Sequence, residues 1–94
     1  MIKESQKRKF NILIGSDIQR DGMYCELSEI VDDKKIDLGE IFFSDTSLSY
    51  SASFSDTVIP LDILEWLIET SKKRLPTKIN RKFFTSDNTA CQVR

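Results

Sequence analysis

Ser47-Leu48-Ser49-Tyr50-Ser51-Ala52-Ser53-Phe54-Ser55 alternates without a break between serine and an apolar residue. A β-strand places successive side chains on opposite faces, so period two predicts a strand with Leu48, Tyr50, Ala52 and Phe54 on one side and the serines on the other. The apolar side is expected to be buried and the serine side to face solvent or a partner. A strand of this kind needs neighbours, and both flanks supply them. Upstream, Phe10, Ile12 and Ile14 predict a first strand. Asp21-Gly22 marks a turn, and Met23 to Val31 places Met23, Cys25 and Leu27 on one face against Tyr24, Glu26 and Ser28. Asp32-Asp33-Lys34-Lys35 reads as a polar turn, Ile36 to Ser44 as a third strand, and Ser44-Asp45-Thr46 as the turn into the serine strand.

Downstream, Pro60 opens a helix expected to run to about Arg74. Proline suits a first helical turn because its missing N–H costs nothing there. Leu61, Leu64, Leu67, Ile68 and Leu75 recur at helical spacing, with Ile63 and Trp66 widening the stripe. Asp62, Glu65 and Glu69 come early and Lys72, Lys73 and Arg74 late, which complements the helix dipole. Leu64, Leu67 and Ile68 are the residues expected to meet the sheet. The resulting fold class is α+β: a two-layer antiparallel meander of about four strands with one main helix on one face. The 94 residues suit a single domain, 1–94, with a core of about 9–76 and a basic segment, 77–94, whose structure the sequence leaves open.

Composition narrows the function classes. Hydrophobic residues make up 39% and charged residues 31%, a globular balance. No stretch approaches the roughly 20 apolar residues needed to cross a bilayer, and the basic start lacks a signal-peptide apolar core. A cytoplasmic location is expected, without a membrane partner, and Cys25 and Cys91 are read as free thiols. There is no histidine, no Cys-x-x-Cys pair and no Gly-rich phosphate loop. Histidine triads, Cys–His pairs and the common zinc sites are therefore excluded. Asp32, Asp33 and Asp37 lack the pattern of a calcium loop. No enzyme, cofactor or metal is implied.

The net charge of -1 hides a segregation. Residues 1–9 carry +3, residues 10–69 carry -10, and residues 70–94 carry +6. Either the basic ends neutralise the acidic middle, or the acidic middle steers the chain to a basic partner. Asp17, Asp21, Glu26, Asp32, Asp33 and Asp45 are the candidate partner-binding set, because turns and one strand face could gather them. Lys78, Arg81 and Lys82 beside Phe83 and Phe84 offer an alternative, single-stranded nucleic acid, although an isoelectric point near 5.4 weighs against it.

Gly39-Glu40-Ile41-Phe42-Phe43-Ser44-Asp45, the serine strand, and Ile59-Pro60-Leu61-Asp62-Ile63-Leu64-Glu65-Trp66-Leu67-Ile68 together resemble the small immunity proteins of bacterial polymorphic-toxin and contact-dependent growth inhibition systems. The resemblance covers about half the chain and implies neutralisation of a cognate toxin, a basic domain here, by binding in the cytoplasm. It transfers no individual binding residue. A small accessory or anti-defence protein that binds another basic protein is the alternative expectation.

Overall fold

The computed structural model describes residues 1–75. Five antiparallel strands lie side by side in chain order: β1 (Ile2–Ser5), β2 (Arg8–Asp17), β3 (Gly22–Val31), β4 (Lys34–Ser44) and β5 (Ser49–Phe54). Helix α1 (Leu61–Arg74) packs across β1, β3 and β4 on one face. The α+β architecture agrees with the sequence pattern, but the strands number five instead of about four. The additional strand is β1, whose four residues include Lys3 and Glu4 and carry no alternation to announce it.

Turn chemistry explains why β1 is hard to read. Gln6 and Lys7 join β1 to β2 with φ of 52° and 64°. A two-residue hairpin turn of this hand needs positive φ at both positions and usually uses Asn or Gly. Asp32 and Asp33 do the same between β3 and β4, at 52° and 65°. Aspartate tolerates that region better than most residues. The β2–β3 connection is built differently. Asp17 Oδ1 accepts the backbone N–H groups of Gln19 and Arg20, at 3.1 and 3.3 Å, and so wraps the chain into its turn.

The core lies between α1 and the sheet. Phe10 and Ile12 of β2, Cys25 and Leu27 of β3, Leu38, Ile41 and Phe43 of β4, and Ile63, Leu67 and Leu75 of the helical segment are buried. Leu38 and Ile41 are three residues apart and would point to opposite faces of a regular strand. A bulge repairs the mismatch: Leu27 pairs with Gly39 while Ser28 pairs with Asp37, leaving Leu38 as the extra residue. Cys25 sits wholly within this core, and burial pushes its thiol up from the ordinary range.

Two packing expectations are corrected. In α1 the buried face is Ile63, Leu67, Thr70 and Ser71, not Leu64, Leu67 and Ile68. Leu64 is half-buried and Ile68 is 38% exposed. The stripe is turned toward β1, where Ser5 Oγ donates to Asp62 Oδ1 at 2.8 Å and Lys3 lies over the Trp66 ring. Pro60 is the cap residue preceding the helix rather than its first turn. In β5 the face assignment holds, but burial does not. Tyr50 and Phe54 remain 39–40% exposed, because β5 is an edge strand and α1 lies mostly over β1, β3 and β4. Leu48 stands before the strand with φ of 56°. Among the described residues, no helix is long and apolar enough to cross a membrane. The basic segment 77–94, Cys91 included, lies outside the described residues.

Candidate protein-binding face

The sheet has a second face, and among the described residues no helix lies on it. Alternation puts Leu13 and Gly15 of β2, Tyr24 and Glu26 of β3, and Glu40 and Phe42 of β4 there, opposite Ile12, Cys25 and Ile41. An antiparallel sheet can afford one solvated face, which is ordinarily polar. This one carries a contiguous apolar centre. Leu13 is 44% exposed, and Tyr24 and Phe42 pair across β3 and β4, each half-buried.

Two glycines hold the rings flat against the sheet. Gly15 pairs with Tyr24, and a methyl group added at Gly15 would come within 2.6 Å of the Tyr24 hydroxyl. A methyl at Gly22 would overlap the Phe42 ring. Each aromatic therefore covers backbone that has no side chain of its own, the arrangement that compensates glycine in strands.

Charge surrounds this centre. Arg20 reaches in from the β2–β3 turn with its guanidinium 4.2 Å from the Phe42 ring centroid. Its Nε lies 2.6 Å from Asp17 Oδ2, and its two terminal nitrogens lie 2.6 and 3.2 Å from the Glu40 oxygens. The bond from Arg20 holds the Asp17 carboxyl below its ordinary pKa, and the bonds to Glu40 and Asp17 raise that of the guanidinium. Glu26 stands directly opposite Glu40 in the β3–β4 register. Like charges at directly opposed positions destabilise a sheet. The fold carries that cost on the exposed face, with Arg20 offsetting one of the two carboxylates.

The six acids expected from sequence do not form one patch. Asp17, Asp21 and Asp45 meet at one end of the sheet, where the Asp45 N–H donates to the Asp21 carbonyl at 2.8 Å. Asp32 and Asp33 occupy the β3–β4 turn at the other end. Ten residues of β3, about 33 Å of strand, separate the two groups. Glu26 lies between them on the open face. Asp17 is engaged by Arg20 and by its own turn, and Asp32 and Asp33 serve the turn geometry. Sequence reading missed Tyr24, Phe42, Arg20 and Glu40 as a group. The legible signal was the spacing of Tyr24 and Phe42 about the Asp32-Asp33 turn, which marks an aromatic pair on the face away from Cys25.

The remaining charge cluster is structural. Arg8 forms a bidentate pair with Glu29, at 3.0 and 2.9 Å, and donates to the Val58 carbonyl at 3.1 Å. It thereby ties the segment entering α1 to β2 and β3. Arg8 holds the Glu29 carboxyl below its ordinary range. No group of three or more potential metal ligands occurs among the described residues. Comparison with protein-family models, curated proteins and solved structures gave no match.

Proposed function

We propose that the chain is an immunity-type inhibitor that docks its open sheet face on a basic toxin domain and neutralises it. The observation that carries the reading is the Glu26–Glu40 opposition beside exposed Leu13 and half-buried Tyr24 and Phe42. An unfavourable acidic pair at the rim of an apolar, aromatic centre has the composition of a recognition surface: aromatic and arginine anchors at the centre, charge around them. A basic partner would relieve the repulsion on binding, and the acidic field would speed its approach. The resemblance to toxin-neutralising proteins supplies the class of partner.

The test is co-expression in bacteria of this chain with a basic toxin domain from a gene neighbouring its own. Growth restored by the wild type and lost with Tyr24→Ala plus Glu26→Lys, at equal protein levels, is the expected outcome. Full protection by that double variant would remove the open face from the interaction.

A further inference from the structure

The open face holds one cation site that is already filled. Glu40 and Phe42 stand two residues apart on β4, so both project from that face. The Phe42 ring covers Gly22 and leaves its outer surface clear. The Arg20 guanidinium stacks on that surface, 4.2 Å from the ring centroid, and forks onto both Glu40 oxygens at 2.6 and 3.2 Å. A planar guanidinium can satisfy a ring and a carboxylate at once, whereas a compact ammonium cannot.

The same two elements recur one strand away. Glu26 and Tyr24 also stand two residues apart, on β3. The register sets Glu26 directly beside Glu40 and Tyr24 directly beside Phe42. The Tyr24 ring likewise covers a glycine, Gly15. All four side chains belong to half-buried residues. Yet among the described residues no lysine or arginine pairs with Glu26, and none lies over the Tyr24 ring. Arg20 itself is committed to Asp17 and Glu40.

We propose that Glu26 and Tyr24 form a receptor for one arginine side chain of the protein partner, its guanidinium stacked on the Tyr24 ring and forked onto the Glu26 carboxylate. The proposal rests on the reading of the open face as a binding surface and adds the chemistry of one contact. Arg20 on Glu40 and Phe42 is the template, built from the same residue classes at the same spacing. The charge balance points the same way. Arg20 offsets Glu40, and a cation at Glu26 would offset the carboxylate opposite it. Lysine would supply the charge without the stacked fork, so the site selects arginine over lysine.

The test titrates N-acetyl-arginine amide into the isotope-labelled full chain, with N-acetyl-lysine amide as the control, and follows backbone amides by NMR at constant ionic strength. One exposed stack with one ion pair is weak, so the dissociation constant should be on the order of 10 mM. The Tyr24 and Glu26 amides should shift saturably with the arginine probe, and the lysine probe should bind at least about threefold more weakly. Glu26→Gln, a near-isosteric change, should abolish the saturable shift. Arg20→Ala uncovers Glu40 and Phe42 and should add a second set of shifts at Phe42. The absence of saturable shifts at Tyr24 and Glu26, as when a base of the chain itself fills the place, would overturn the proposal. So would an equal response to lysine, or Glu26→Gln binding as the wild type does. Failure here, with protection from the toxin still lost in Tyr24→Ala plus Glu26→Lys, removes the arginine receptor alone. Arginine binding here, with full protection by that double variant, removes the toxin reading of the face alone.

Discussion

The two faces of the sheet use the same backbone for different ends. The helix-covered face is dry and closed: Phe10, Leu27, Ile63 and Leu67 have no accessible surface. The open face carries residues of similar size, Leu13, Tyr24 and Phe42, and leaves them partly wet beside two opposed glutamates. Stability lives on the first face and is given up on the second. The aromatics cover the bare backbone of Gly15 and Gly22, whereas the opposition of Glu26 to Glu40 works against stability.

Substitutions can break that contrast, beginning with the covered face. Phe10→Ala and Leu67→Ala, measured by chemical denaturation, should cost about 3–5 and 2–5 kcal/mol respectively, since both are fully buried. Either is enough to consume much of the stability of a domain this size, about 5–10 kcal/mol. Phe54→Ala at the exposed edge should cost less, about 1–2 kcal/mol, because the ring is already partly in water. A cost equal to that of Phe10 would show that β5 is covered in the isolated chain.

The Arg8–Glu29 pair, on the covered side, gives the pH response. The Glu29 carboxyl is held below its ordinary 4.5, so the bond to Arg8 contributes stability that is present above that value. The contribution is lost as pH falls through the lowered folded value. Melting curves should therefore show a decline on acidification that is shallower in Arg8→Met, a variant already less stable at neutral pH. Parallel acid profiles for the two proteins would mean that other carboxylates set the response. The smallest effect belongs to the open face. Glu26→Gln removes the like-charge opposition to Glu40 and should raise stability by a few tenths of a kcal/mol. A loss of stability would show that Glu26 is a structural residue.

Much of this contrast was legible before the structure. The alternation in 47–55 and the Pro60 helix gave the α+β class, and Cys25 and Leu27 fell on the inward face as their period required. β1 was not legible because its turn, Gln6–Lys7, uses residues that do not advertise positive φ. The helix stripe pointed to Ile68, yet rotation toward β1 is set by Ser5 and Trp66, contacts more than fifty residues apart in sequence. The acidic set rests on turns and one strand face that could gather it, and sequence alone does not say which turns share an end of the sheet. Asp32 and Asp33 serve a tight turn at one end, Asp17 is held by Arg20 at the other, and the β3–β4 pairing is what brings Glu40 to Glu26.

The most direct test exploits Leu13, which lies opposite Glu26 in the β2–β3 register and is 44% exposed. Leu13→Lys sets a cation across from the glutamate, so the isolated chain should keep or slightly raise its melting temperature. The same lysine puts positive charge and a missing apolar contact at the centre of the open face. The dissociation constant for the basic partner of the proposed function, measured by calorimetry, should then weaken at least tenfold, about 1.4 kcal/mol. An unchanged constant, with the fold intact, would contradict the assignment of this face to partner binding.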